Sequence, residues 1–472
     1  MYRKRDRDQL TLEHFLLPFG GKLSADNRWV KLAQLMPWDF IEDIYAAQFS
    51  ADSGVPAISA RIAFGACYIK ENENLSDERT LEYIAENPYA QYFLGLGEFR
   101  SERLFDPSMM THFRKRFPAD KVEQINKRIF AAQTDGSGDD AGDDPPENRG
   151  KLVLDATCAP SDIRYPGDLS LLNEARENTE QMLEELYEMH KISGRRTRYS
   201  RKKARARYLS IAKQKRPKPA RLKQVIGQQI GYIAGNLDTI DKLLEGTDTT
   251  VFPAKRSARL DTIRKLLAQQ KEMFEMGTRK CENRIVSLRQ PHVRPIVRGK
   301  AGQRYEFGQK LALSVIDGYT FIEKQQFDNF NEGITLIESA ERYKRQYGCY
   351  PEVIQADRIY RNRDNLSWCK AHGIRLSGPR LGRPGKDAER DRGLELQDNR
   401  ERNIIEGRNG LAKRRFGLNL IMAYLEETAM TEAAFKLLCM NARIRILLRR
   451  FLHSWQMLEC SKCPRGFAGA FQ

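Results

Sequence analysis

Two short apolar runs in this chain each break off at an aspartate, and that repetition limits the folds open to it more than any other feature. Lys151-Leu-Val-Leu-Asp-Ala-Thr157 carries Asp155, and Pro351-Glu-Val-Ile-Gln-Ala-Asp-Arg358 carries Asp357. Short apolar runs bounded by polar residues fit strands buried on both faces. They predict strands at residues 152–156 and 352–356, and similar patterns predict strands at 311–316, 319–325 and 374–377. Helical spacing falls at 332–347, 361–372 and 399–415. Strand, strand, strand, helix, strand, helix, strand, helix predicts an α/β domain. Both aspartates then stand at the ends of neighbouring central strands, where open α/β sheets gather their ligands.

A third acid, Glu406, lies in Arg402-Asn-Ile-Ile-Glu-Gly-Arg-Asn-Gly-Leu-Ala-Lys413. At 100° per residue Arg402, Glu406 and Lys413 fall within about 40° of one another on one helix face. One such acid alone is most simply a cap or a salt-bridged carboxylate. Two at strand ends and a third on a later helix form a set able to hold two divalent cations about 4 Å apart for in-line attack on a phosphodiester. Mg²⁺, or Mn²⁺ in its place, takes oxygen ligands and keeps several waters, so a few carboxylates suffice. Arg402 and Lys413 are placed to neutralise phosphate charge in the transition state, and Arg358 and Arg361 extend that set. Glu306 and Asp317 are rival acids near strand positions. Tyr360 follows Asp357 closely, but no arginine–histidine constellation marks it as a nucleophile.

These motifs resemble the DDE transposases of bacterial insertion sequences, specifically the IS-five superfamily and its longer members with an insertion after the first catalytic strand. The family's third-acid signature reads Tyr-x2-Arg-x3-Glu-x6-Lys. Arg402, Glu406 and Lys413 keep its spacing, and Asn399 stands at the Tyr position. Gln303-Arg-Tyr-Glu-Phe-Gly-Gln-Lys310, Ser314-Val-Ile-Asp-Gly318 and Ala356-Asp-Arg-Ile-Tyr-Arg361 also resemble these enzymes. The likeness spans about residues 10–130 and 150–450. It implies a ribonuclease-H-like catalytic core with Asp155, Asp357 and Glu406 as metal ligands. It also implies double-stranded DNA as partner, both terminal inverted repeats and target, and a homodimer on that DNA. A transposase-derived DNA-binding protein without catalysis, or a ribonuclease-H-like structure-specific nuclease, would share these motifs.

Charge agrees with a polyanionic partner. The 472 residues include 80 Lys and Arg against 63 Asp and Glu, a formal charge of +17, and such an excess attracts nucleic acid at long range. The excess is concentrated: residues 191–237 hold fifteen Lys or Arg and no acid. Solvated charged faces usually mix signs, so Arg195, Arg196, Arg198, Arg201, Lys202, Lys203, Arg205 and Arg207 are expected to contact DNA phosphates.

The organisation follows from composition shifts. Residues 1–131 read as a helical domain for DNA binding or dimerisation. Ser76 is expected to cap one of its helices, Pro88 to close that helix and Asp106-Pro107 to open another. Residues 132–150 are an acidic Gly/Pro linker that cannot bury enough surface to order itself. The catalytic domain spans 151–425, interrupted at 158–300 by a basic helical hairpin. Ile226, Ile230, Ile233, Leu237, Ile240 and Leu244 keep a 3,4 spacing there, suited to packing within the chain or to dimerisation. Residues 426–472 form a C-terminal helix and tail. Phe435, Leu438, Met440, Ile444, Leu447 and Leu448 would face the catalytic domain, and Arg443, Arg445, Arg449 and Arg450 would point away. A polar N-terminus without a signal-peptide core, no run of about 18 apolar residues and eight scattered cysteines fit a reduced cytoplasmic setting at the nucleoid.

Overall fold

The computed structural model describes residues 2–462 except 3, 5–11, 18–19, 51–54, 131–146, 190–200, 246–251, 298–304 and 379–391, with side chains described as far as Leu448. The 132–150 linker therefore lies mostly outside the described residues. At the centre is a six-stranded mixed sheet: β1 (Lys151–Pro160), β2 (Arg294–Val297), β3 (Tyr305–Ile316), β4 (Tyr319–Gln326), β5 (Val353–Ala356) and β6 (Arg375–Leu376). The strands run in the order β2-β3-β1-β5-β6, with β4 also paired to β3. β1 is antiparallel to β3 from Val153↔Val315 to Pro160↔Gly308, and parallel to β5 from Lys151↔Val353 to Leu154↔Ala356.

Two details depart from the expected strands. β1 does not end at residue 156 but continues to Pro160, because β3 goes on pairing with it after β5 has stopped. Gly308 permits the closest part of that pairing, since a Cβ there would lie 2.2 Å from the Ala159 carbonyl oxygen. The short β2 has no apolar run to predict it. Its Pro295 lacks a backbone donor, which confines the strand to the sheet edge.

The N-terminal part is built from α1 (Arg28–Leu35), α2 (Trp38–Ala46), α3 (Ala60–Glu73), α4 (Asp77–Glu86), α5 (Pro88–Phe93), α6 (Met109–Arg116) and α7 (Ala119–Phe130). α3 is buried almost all round, as expected of a central helix with apolar residues on every face. Ser76 caps α4 by accepting from the Arg79 amide at 3.2 Å. Pro88 does not close an element but opens α5 at its first turn, behind the Asn87 cap. Asp106 accepts from the Ser108 amide at 2.9 Å in a turn just ahead of α6.

The insertion is more than a hairpin. It contains α8 (Asp168–Met189), α9 (Arg201–Ala212), α10 (Pro219–Leu244) and α11 (Ala254–Met276), with a hydrophobic core of its own. Leu172, Leu186, Ile233, Ile240, Ile263 and Leu266 are fully buried in it, so the 226–244 stripe is an internal surface. Polar side chains fix the packing. Arg176, itself buried, holds Glu180 and donates to Asn173 Oδ1 at 2.8 Å, and Asn236 donates to Thr179 Oγ1 at 2.9 Å.

After the insertion come α12 (Leu336–Tyr347), α13 (Arg363–Ala371), α14 (Arg392–Arg415) and α15 (Glu426–Lys462). α15 does not cover the sheet alone. It packs chiefly on α7, α3 and α6, and on β4 of the sheet. Lys436 is buried between Glu71 Oε2 (2.6 Å) and Glu432 Oε1 (3.2 Å), while Lys70 pairs with Glu71 at 2.8 Å. Arg445 turns inward rather than away and donates to the Ile129 carbonyl at 3.0 Å. Asn441 donates to Asn126 Oδ1 (2.9 Å) and to the Thr320 carbonyl (2.7 Å), joining α15, α7 and β4.

Beside that junction, Glu123 is buried and its pKa is raised to about 8, chiefly by loss of hydration. An unfolded glutamate ionises near 4.3. Between that value and about 8 the unfolded chain has released a proton that the folded chain retains, so stability is full below the unfolded pKa and falls as pH rises, by up to roughly 1.4 kcal/mol per unit. Glu123→Gln should flatten this fall and raise Tm at pH 8 relative to pH 5. Thermal melts of both proteins across that range check it, and parallel pH profiles would reject it.

Candidate active site

The site forms where β1 and β5 part. Their parallel pairing ends at Leu154↔Ala356, so the next residues, Asp155 and Asp357, stand abreast. Asp155 is therefore mid-strand in β1, not at its end, and the end of β5 is what opens the space beside it. Asp357 Oδ1 accepts from the Arg358 amide at 2.7 Å and so begins a short 3-10 turn, Arg358–Tyr360. A second 3-10 turn, Glu332–Thr335, packs against it and brings in Glu332. Burial, with Glu332 and Asp357 adding to it and Arg402 opposing, pushes the Asp155 carboxyl up to about 6. Glu332 is itself held by the buried Lys310 at 2.9 Å.

α14 supplies the opposite wall. Its first half is fastened to the sheet: Arg375 makes two bonds to Asp398, of 2.6 and 2.8 Å, and Glu401 accepts from Lys151 and Gln355, both at 2.7 Å. Asn399, at the family's tyrosine position, is exposed beside the buried Asp398. Further along the helix, Asn409 Nδ2 donates to Asp155 Oδ2 at 3.0 Å. Arg402 lies close enough to act on Asp155 electrostatically. Glu406, between them on the helix, has a side chain 59 % exposed with Arg402 3.7 Å away. Lys413 is one turn beyond Asn409 and half-buried.

Asp155, Asp357 and Arg402 are thus brought together, and Glu406 is on the helix that faces them with its carboxylate turned to solvent. Among the described residues no three His, Cys, Asp or Glu side chains gather into a ready-made metal cage. The donor set nonetheless suits a hard divalent cation. Two carboxylates stand side by side, a third, Glu406, is carried by the helix that faces them, and Asn409 Oδ1 is buried without a hydrogen-bond partner among the described residues. Sequence reasoning does not single out Asn409 or Glu332. Asn409 carries a usable signal, because it lies one helical turn after Glu406. Glu332 depends on the packing of two turns that no local pattern reveals.

Other candidates are placed elsewhere. Arg361 is buried and donates to the carbonyls of Leu376 (2.7 Å) and Ser377 (2.6 Å), so it braces β6 instead of meeting phosphate. Asp317 occupies the tight β3–β4 turn with a positive φ of 50°, and Glu306 pairs with Ile296 at the far end of β3. Of the basic run, Arg195, Arg196 and Arg198 lie outside the described residues. Arg201 is tied to Glu184 at 2.6 Å, and Arg207 donates to the Tyr232 hydroxyl at 2.6 Å. Lys202, Lys203 and Arg205 are exposed on α9.

Comparison with known proteins finds two transposase domains in the chain. Residues 354–443, which include Asp357, the whole of α14 and much of α15, match the family model described as "Transposase DDE domain". Residues 18–116 match the model described as "Transposase domain (DUF772)". The chain is also 33% identical over 188 residues to "Uncharacterized protein ORF8 in nfe locus" of Rhizobium meliloti, an alignment covering 39% of this chain and 86% of that protein. No solved structure matches the chain. The chain thus carries a transposase DDE domain and a second transposase domain, consistent with a DDE transposase of insertion sequences. No helix among the described residues is long and apolar enough to cross a membrane.

Proposed function

We propose that this protein binds the terminal inverted repeats of an insertion sequence, cleaves phosphodiester bonds at its ends and joins them to target DNA, acting at the nucleoid in the cytoplasm. The observation that carries this reading is the pair Asp155 and Asp357 abreast at the β1–β5 fork, faced by Arg402, Glu406 and Asn409 on one helix. The strand order β4-β3-β1-β5-β6, three antiparallel strands followed by two parallel to the first, supports a ribonuclease-H-like core. The IS-five superfamily is the branch its motifs resemble.

Asp155, Asp357 and Glu406 would hold a pair of Mg²⁺ or Mn²⁺ ions, with Glu406 rotating inward to complete the set. Bound there, the ions supply a water of lowered pKa and charge stabilisation at the leaving 3′-oxygen. Asn409 fixes the Asp155 carboxylate and leaves its own Oδ1 to accept from a water. Arg402, with Lys413 further along the helix, neutralises the phosphate. The freed 3′-hydroxyl then attacks a target phosphodiester in the same site. Two ends must be held at once, so the working form is a homodimer on DNA. A strand-transfer assay with the flanking inverted repeats, with and without Mn²⁺, tests the reading. Binding without cleavage would indicate a DNA-binding derivative, and cleavage without joining a nuclease.

The DNA path would run over α9. Lys202, Lys203 and Arg205 are exposed there, whereas Arg201, also exposed, is paired with Glu184, and Arg207 is bonded to Tyr232. Changing Lys202, Lys203 and Arg205 to Gln should weaken binding to all sequences alike. The slope of log affinity against log salt should fall by about 0.9 for each phosphate no longer neutralised. An unchanged slope would mean that these side chains touch no phosphate.

A further inference from the structure

Two isoleucines close to the acids in sequence stand exposed. Ile334 is 59 % exposed and Ile359 50 % exposed. Each follows an acid of the cluster closely, Ile334 two residues after Glu332 and Ile359 two after Asp357. Their turns are tightly clamped. Asn331 Oδ1 accepts from the Gly333 amide at 3.0 Å, and Asn365 Nδ2 donates to the carbonyls of Gly333 and Tyr360, both at 2.8 Å. A Cβ at Gly333 would lie 2.8 Å from the Ile359 carbonyl oxygen, so only glycine allows the two turns to approach this closely. Tyr360 and Thr335 are buried beneath. The result is a rigid platform that presents two branched apolar side chains to solvent, flanked by the exposed Arg358 and Arg363.

Exposed isoleucines on fixed turns, with exposed arginines on the same segment as Ile359 and close to the acids read as the cleaving site, match the chemistry of a wedge into stacked bases. Such wedges part a base step while neighbouring cations hold the backbone. We propose that Ile334 and Ile359 enter the DNA next to the scissile phosphate and open the base step there. The proposal rests on the reading of this site as the DNA-cleaving centre.

The test uses the full chain, duplexes of the element's end with 2-aminopurine at the scissile step, and the variant Ile334→Ser/Ile359→Ser. Wild type should raise 2-aminopurine fluorescence on binding, and the variant should lose that rise while its affinity changes by less than about threefold. On paired ends the variant should cleave about ten to a hundred times more slowly, in line with the cost of unstacking one step. On ends already mismatched at that step its rate should return to within about threefold of wild type. No fluorescence change with wild type would overturn the proposal, as would a variant equally slow on paired and mismatched ends. A variant that opens DNA normally but changes the mass of the protein–DNA complex would assign the pair to a protein interface instead. Opening without cleavage by wild type would leave the wedge standing and remove the transposase reading, and cleavage without opening would do the reverse.

Discussion

Asp155→Asn and Asp357→Asn should each slow cleavage of the element's ends by at least about a thousandfold, which corresponds to roughly 4 kcal/mol of transition-state stabilisation. Their affinity for the same DNA should stay near that of wild type. The changes are nearly isosteric, so the fork between β1 and β5 has no reason to collapse. Asn at 155 can still meet the amide of Asn409 by offering its carbonyl oxygen. What the variants lose is charge: each removes one of the two carboxylates that stand abreast. Gel-shift titrations and cleavage time courses in Mn²⁺ measure the two quantities separately. Equal losses of binding and cleavage would mean that the acids serve the fold and not the reaction.

The double variant Ile233→Asp/Leu237→Asp should unfold the helical insertion. Both side chains sit in the insertion's core, Ile233 wholly buried and Leu237 nearly so. Arg176, a buried cation of the insertion, is already engaged by Glu180, and an unpaired buried charge costs several kcal/mol. Two of them exceed what a bundle of four helices can absorb, since whole domains are stable by only about 5–15 kcal/mol. Circular dichroism should report a loss of helix, and light scattering should report no clean monomer. A folded monomer that still binds one DNA end would instead make the stripe a dimer interface.

The parts of the fold that are legible in the sequence are those set by local pattern. The runs ending near Asp155 and Asp357 are buried on both faces, so each reads as a strand without knowledge of its neighbours. Spacing alone predicts the helix over 399–415, although α14 begins earlier, at Arg392, where exposed Leu394 and Leu396 offer no apolar stripe to read. What the sequence hides depends on pairing at a distance. β1 is longer than its apolar run because β3 keeps pairing with Thr157–Pro160, and β2 exists because β3 offers it an edge. The basic insertion reads as a hairpin because its strongest periodicities are those of α8 and α10. The stripes of α9 and α11 are diluted by charge on nearly every turn. Arg445 and Arg361 read as surface cations, yet each spends its charge on buried carbonyls supplied by other segments of the chain.

The packing of α15 on α3, α6 and α7 has a consequence for how the protein is made. Glu71 meets Lys436 only after 365 further residues have been joined, so on the ribosome the N-terminal helices wait through most of synthesis with Lys70 alone beside that carboxylate. A fragment released before α15 emerges lacks the second cation and the apolar face that covers α3. Such early-terminated products should be cleared by proteolysis and not persist as folded fragments.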